Sequence, residues 1–351
     1  MTLADLTRHT GQWLRGAGAM NDVVISSRVR LARNLAGLPF LSRCSGEQQQ
    51  ELETRLRKEV LASGIDASAF YVDVAAAGAL DRQLLVERHL ISRQHAAAKH
   101  PRGVAISGDE DLAIMVNEED HLRIQVMRSG LALGDAIERI NAVDDKLEDR
   151  LDFAFHSRYG YLTACPTNVG TGLRVSVMLH LPALKLSGAI KKALQAARDM
   201  RLAVRGLYGE GTEASGDFFQ LSNQTTLGKS EEQIVEEFSG RIVPEIIRYE
   251  QTARQALLRD QRIALEDKVF RAAGMLRAAR LIGAEEAMYM LSLLRLGVVS
   301  GLVSDVDLAT VNELFLVTQP AHLQRILSRE LSRQQRAQER ARLIRRRLGA
   351  T

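Results

Sequence analysis

The sequence predicts an α+β fold, a largely antiparallel sheet flanked by helices and followed by a smaller all-helical C-terminal domain. Three observations carry that expectation. Between about 23 and 227, short stretches of alternating apolar and polar residues recur, the period of a half-buried strand. Several of them follow one another with no room for a crossover helix of a dozen residues, so hairpins and antiparallel pairing are expected. From Ser230 onward the period changes to that of amphipathic helices.

In order, the strand patterns are VVISSRVRLA, GVAISG, LAIMVN, LRIQVM, LRVSVMLHL, RLAVRGLYG and DFFQLS. Helical patterns interrupt them near 46–63, 131–150 and 183–199. Ser230 followed three residues later by Gln233 is a capping box that opens the helical region. Further helices are expected near 262–281, 284–297, 305–317 and 320–348. The organisation is then an N-terminal extension over 1–20, a catalytic-sized domain over 21–250 and a helical domain over 251–351.

With 351 residues, 46% hydrophobic and 26% charged, the chain has the composition of a soluble globular protein. It has no apolar run of membrane-spanning length and no signal-peptide core, which predicts a cytoplasmic protein that does not enter the membrane. The net charge of +4 is uneven: residues 325–347 hold nine arginines against Glu330 and Glu339. Apolar residues at 337, 341, 344 and 348 make this a solvated helix face docked on the body rather than a nucleic-acid-binding arm. The two cysteines, Cys44 and Cys165, match no metal spacing. Phosphate-loop, dinucleotide-binding and zinc-protease motifs are lacking.

Period two places Ser26, Arg28 and Arg30 on one strand face, opposite Ser27, Val29 and Leu31. Two guanidinium groups then project about 6.6 Å apart along the strand. Arg174, Ser176 and Met178 share a face in the same way, Arg123 lies opposite Leu122 and Ile124, and Arg205 ends another apolar strand. Five strand arginines are costly together unless an anion neutralises them, and the guanidinium fork suits phosphate oxygens. Beside one of them lie three consecutive acids, Glu118, Glu119 and Asp120, which ask for a cation.

SSRVR at 26–30, NEEDHLR at 117–123, CPTNVGTG at 165–172 with RVSVM at 174–178, and RGLYGEGTE at 205–213 resemble the successive motifs of the phosphagen (guanidino) kinases. HLIS at 89–92, SNQTTLGKSEEQIVEEF at 222–238 and the helical C-terminal region resemble the bacterial protein-arginine kinases of the McsB type. The resemblance implies a phosphagen-kinase core that moves the γ-phosphate of ATP to arginine side chains of proteins. It places the catalytic glutamate at Glu119, a second substrate carboxylate at Glu210, and a reactive cysteine at Cys165. Glu118 and Asp120 would stand beside the substrate or the hydrated magnesium ion. ATP would be surrounded by Ser26, Ser27, Arg28, Val29 and Arg30, by Arg174, Val175, Ser176, Val177 and Met178, and by Arg205, Gly206, Leu207, Tyr208 and Gly209, with His89 and Arg123. Mg2+ would be held through the ATP phosphates, with no dedicated protein ligands.

The same family carries an Arg-Asp-x-x-Arg-Ala motif that binds phosphoarginine. Its counterpart here, Arg336-Ala337-Gln338-Glu339-Arg340-Ala341, has alanine in place of aspartate, which leaves Arg336 and Arg340 as the expected site and Glu339 as the substitute acid. The resemblance further implies a homodimer, protein substrates with accessible arginines, an activator, and protease or chaperone partners in a stress response. Two competing readings are a kinase of free arginine or another small guanidino compound, and a non-enzymatic phosphoarginine-binding module. The first is disfavoured because phosphagen kinases begin with a helical domain of about a hundred residues, whereas SSRVR starts here after 25. The second is disfavoured by the complete set of acids and arginines.

Overall fold

The computed structural model describes residues 3, 5–206 and 215–349. The strands are β1 Val24–Arg33, β2 Phe70–Asp73, β3 Gly103–Ile106, β4 Leu112–Val116, β5 Leu122–Ser129, β6 Phe155–His156, β7 Gly160–Tyr161, β8 Leu173–His180, β9 Leu202–Arg205 and β10 Phe218–Asn223. Eight of them form one sheet in the order β2-β3-β4-β5-β1-β8-β10-β9, with every pair antiparallel, and β6 and β7 form a separate hairpin. The antiparallel expectation holds because the strands are joined by tight turns such as that at 117–121, where Asn117 N–H donates to His121 O at 2.9 Å.

One sheet face is apolar. Val29, Leu31, Ile124, Val126, Val175, Val177 and Leu221 are buried there with Leu52, Leu56, Ile140 and Val143 of the helices Gly46–Ala62 and Leu133–Glu148. Each such side chain stabilises the fold by roughly 1.5–3 kcal/mol, and this burial fixes which way Arg28 and Arg30 must point. Among the elements outside the expected list are the β6–β7 hairpin, the short helix Arg93–Ala97 and two more. Strand β2 is a four-residue edge strand, and the helix Ala79–Glu87 follows the alanine-rich stretch 75–79. Both are too short and too weakly patterned to show a period. The expected helices at 183–199 and 320–348 are each two: Pro182–Leu186 and Ile190–Asp199, and Pro320–Ile326 and Arg333–Arg347.

The Ser230–Gln233 capping box forms with both reciprocal bonds. A further helix, Val243–Asp260, runs through residue 250, and the helices Arg262–Ala278, Ala284–Val299 and Leu308–Val317 continue the bundle. Gly297 permits the close crossing of two of these, since a Cβ there would lie 2.4 Å from Val269 Cγ1. The bundle packs on the sheet around Ile25, Met127, Met178 and Phe218, with Trp13 and Leu14 of the N-terminal stretch. Among the described residues no helix is long and apolar enough to cross a membrane.

Buried polar contacts tie the bundle to the sheet. Arg295 Nη1 donates to His180 Nδ1 at 2.9 Å, so His180 Nε2–H faces Ser292 Oγ at 2.9 Å, and that hydroxyl donates to Asp217 Oδ2 at 2.6 Å. Burial, reinforced by Arg295, holds His180 well below the ordinary imidazole range, in its neutral form. Near the sheet's other end, Glu87 accepts from Ala321 N and His322 N at the start of the helix Pro320–Ile326.

Candidate functional site

The register turns the strand arginines into a cluster. Arg30 pairs with Arg174 on one side and Gln125 on the other, Arg28 pairs with Ser176 and Met127, Ala32 pairs with Arg123, and Gln220 pairs with Arg205. Residues opposite one another in antiparallel strands share a face, so all five guanidinium groups rise from the polar face. A cavity of about 810 Å³ opens there, and Arg30, Arg123, Arg174, Arg205, Glu119 and Cys165 line it. A smaller one of about 180 Å³, with Arg28, Arg30, His89, Arg123 and Arg205 in its walls, adjoins it.

The electrostatics of the cluster are those of an incomplete site. Burial, then the neighbouring Arg174, Arg123 and Arg205, pushes Arg28 down to about 10. Arg30 is pushed well below the arginine range by burial and then by Arg28, Arg123 and Arg174, against which Glu118 acts. Arg30 Nε is buried and has no hydrogen-bond partner among the described residues. An orphaned buried donor costs about 1–3 kcal/mol, and a polyphosphate is the anion that would satisfy several such donors together. Burial, with Arg28 and Arg93, pushes His89 down to about 3, so its ring is neutral near pH 7. The ring stands edge-on to Trp13 at 4.8 Å.

The three acids part company. Glu118 is buried, pairs with Arg123 Nη1 at 2.7 Å and accepts from Ser92 Oγ at 2.7 Å. Although burial opposes ionisation, Arg123, the Ser92 hydroxyl and the Glu119 N–H hold its carboxyl below the usual range. Glu119 is 43% exposed at its side chain and reaches Arg123 Nη2 at only 3.4 Å. Partial burial pushes it upward, Arg123 opposing, so of the two glutamates it is the better prepared to accept a proton.

Asp120 is not beside the cavity: it is fully buried, and its Oδ1 accepts from Asn34 Nδ2 at 2.7 Å and from Ala164 N at 2.7 Å. It fastens the Cys165 loop to the acid turn. Asp120→Ala is expected to lower stability by about 1–3 kcal/mol by orphaning these donors. Chemical denaturation reads this, and unchanged stability would refute the fastening role.

Other sequence-predicted residues divide as follows. Ser26, Ser176 and Met178 border a small void beside Arg28 and His89, and Gly206 lines the large cavity. The side chains of Val29, Val175 and Val177 point into the opposite core, and Ser27 Oγ donates to Gly130 O at 2.8 Å and accepts from Ala132 N at 3.0 Å. Leu207, Tyr208, Gly209 and Glu210 lie outside the described residues. Cys165 Sγ stands 3.1 Å from Thr167 Oγ1 on the cavity wall, while Cys44 is half-buried, its Sγ facing Pro39 O at 3.4 Å.

In the C-terminal bundle Arg340 is buried, donating from Nε to Thr318 O at 2.7 Å and from Nη1 to Ile282 O at 2.9 Å, and burial with Arg336 pushes it down to about 10. Arg336 Nη1 donates to Leu331 O at 2.7 Å, and Glu339 pairs with Arg329 at 2.7 Å. These groups hold helix ends together.

Pattern reading missed Gln94, Asn168, Arg198 and Gln224, which line the large cavity. Each sits on a loop or short helix without strand alternation, so only the N-capping Ser92, whose hydroxyl accepts from His95 N at 2.9 Å, marked the first of them. Acids capable of holding a metal come together among the described residues at Asp66, Asp109 and Asp111. Arg128 and Arg139 already pair with two of them. At the arginine cluster Glu118 is committed to Arg123 and Ser92, which fits a divalent ion carried by phosphates rather than by a carboxylate cage.

Residues 51–253 match the model of the ATP:guanido phosphotransferase C-terminal catalytic domain. Residues 262–351 match that of the protein-arginine kinase McsB C-terminal domain. A protein-arginine kinase of Symbiobacterium thermophilum is 49% identical over 349 residues, 98% of each chain. One of Halothermothrix orenii is 44% identical over 349 residues, 99% of each. Among solved structures, lombricine kinase superposes with a TM-score of 0.57 at 27% identity over 68% of each chain. The duplicated taurocyamine kinase of Schistosoma mansoni, with transition-state analogue components bound, gives 0.60 at 29% identity over 66% of this chain and 33% of its own length.

Proposed function

The chain belongs to the ATP:guanido phosphotransferase family, and from that premise we propose that it is a protein-arginine kinase, transferring the γ-phosphate of ATP to arginine side chains of proteins. The observation that carries this reading is the convergence of Glu119, Cys165 and four of the five strand arginines on one cavity, in a chain that also carries a McsB-type C-terminal domain.

In the proposed mechanism Arg28, Arg30, Arg123, Arg174 and Arg205 grip the phosphates and spread their charge over fixed donors, the main requirement of phosphoryl transfer. Magnesium would be held through the ATP phosphates, with no dedicated protein ligands, and would supply neutralising positive charge there. A guanidinium with a pKa of about 12.5 or more is a poor nucleophile until it sheds a proton. Glu119 orients the acceptor guanidinium by accepting its N–H bonds and takes that proton as the nitrogen attacks. Glu118 holds Arg123 in place, and Cys165, whose loop is bonded to the acid turn, lines the same cavity. Glu210 is the second carboxylate on the guanidinium fork, assigned from its motif. The proposed setting is protein quality control, with a homodimer, an activator and protease or chaperone partners.

Incubation with Mg-ATP and either an unfolded protein or free arginine, followed by mass spectrometry under non-acidic conditions, tests the assignment. Phosphate on protein arginines is the expected result. Phosphate on the free amino acid alone would overturn it in favour of a small-guanidine kinase.

A further inference from the structure

A protein arginine reaches the cavity with main chain on both sides, and that chain must cross the rim. On the Cys165 side the rim is built from residues 162–170, to which two exposed segments are bonded. Tyr161 exchanges backbone hydrogen bonds with Gly170, at 2.8 and 3.3 Å, and Thr226 Oγ1 donates to Val169 O at 2.7 Å. Gly160, at φ +75°, comes so near Gly170 that a Cβ would stand 2.4 Å from its oxygen. The β6–β7 hairpin is therefore clamped to the loop that carries Cys165.

Beside the exposed His156, Ser157 and Arg158 the hairpin carries large apolar side chains. Phe155 is 61% exposed, Tyr159 44%, and Leu227 on the adjoining segment 59%. Phe155 stands edge-on to Tyr161 at 5.3 Å, and the Tyr161 ring lies 3.5 Å from the Arg33 guanidinium, which Asp144 pins at 2.6 Å. Aromatic groups held this firmly lose little freedom on binding, and clustered exposure of this kind marks interaction surfaces. Elsewhere on the cavity wall the helix Ile190–Asp199 contributes Leu194 and Arg198, and the Arg198 charge disfavours a cationic acceptor segment on that side.

We propose that Phe155, Tyr159 and Leu227 form the docking surface for the polypeptide that carries the acceptor arginine, taking apolar side chains within about four residues of it along an extended strand of about 13 Å. The inference rests on the cavity being a protein-arginine kinase site. It selects unfolded stretches, because folded proteins bury the apolar neighbours that this surface takes.

The test is the binding of a fluorescently labelled, reduced and carboxymethylated polypeptide to the full chain with a non-hydrolysable ATP analogue, read by anisotropy. The triple variant Phe155→Ser, Tyr159→Ser, Leu227→Ser is expected to bind about tenfold more weakly, with melting temperature and ATP affinity unchanged, and Phe155→Leu alone to retain most of the binding. Equal affinity in the triple variant and the parent, or no binding by the parent, overturns the docking surface. Hairpin-dependent binding without arginine phosphorylation upholds it and removes the kinase reading instead.

Discussion

Glu119→Gln is expected to lower the rate of arginine phosphorylation by about 10³-fold, the middle of the range for loss of a general base, while Mg-ATP affinity stays within about twofold. The amide keeps the shape of the side chain and can still accept an N–H bond, but it cannot take the proton that the acceptor nitrogen must lose. ATP affinity is spared because the Glu119 to Arg123 contact is a long one at 3.4 Å, and Arg123 keeps its pairing with Glu118 at 2.7 Å. The pH profile carries the same signature. Burial moves the Glu119 carboxyl upward, and the base works only when ionised, so kcat/KM should fall on the acid side through a limb above the ordinary glutamate value of about 4.3. The Gln variant's residual rate should lack that limb. Single-turnover kinetics between pH 5 and 9 with calorimetric ATP titrations read both, and parent-like turnover in the variant would remove Glu119 from the role of base.

Arg30→Met should separate stability from function. In the ATP-free protein this arginine is desolvated, faces Arg28, Arg123 and Arg174, and keeps an orphaned Nε. Replacing a buried, poorly paired charge by an apolar side chain of similar length stabilises proteins by about 1–4 kcal/mol, and for the half-buried Arg30 the gain falls at the lower end. The ATP-free variant is therefore expected to melt a few degrees higher than the parent, at about 2–4 °C per kcal/mol. Mg-ATP, which should raise the parent's melting temperature by mass action, should raise the variant's far less, and turnover should fall about 10²–10³-fold with the loss of a transition-state donor. Thermal melts with and without Mg-ATP check this. A variant that melts lower without ATP, or that keeps the parent's ATP-induced shift, would show that Arg30 is a structural residue.

Much of the site was legible because its signals are local. Period two fixed Arg28 and Arg30 on one face and Val29 on the other, and the same held for Arg174 and Ser176 against Val175 and Val177. The order of four motifs was enough to identify the family. The helical region announced its start through a capping box spanning three residues, Ser230 to Gln233.

Asp120 shows where local reading stops. In sequence it is one of three adjacent acids; in the fold it belongs to Asn34 and Ala164, 86 and 44 residues away. Arg340 likewise looked like half of a ligand motif and is committed to carbonyls of Thr318 and Ile282. A buried polar group must find partners wherever the chain brings them, and no spacing along the sequence records which ones.

The sequence alone therefore determined seven of the eight sheet strands, the face each arginine takes and the family, because strand period and capping depend only on neighbours two or three residues apart. Tertiary structure decided the register that sets Arg30 against Arg174, across 144 residues. It also decided the division of labour among Glu118, Glu119 and Asp120. Both depend on the mutual satisfaction of charges and hydrogen bonds, which is settled only when distant strands pair and water is excluded between them.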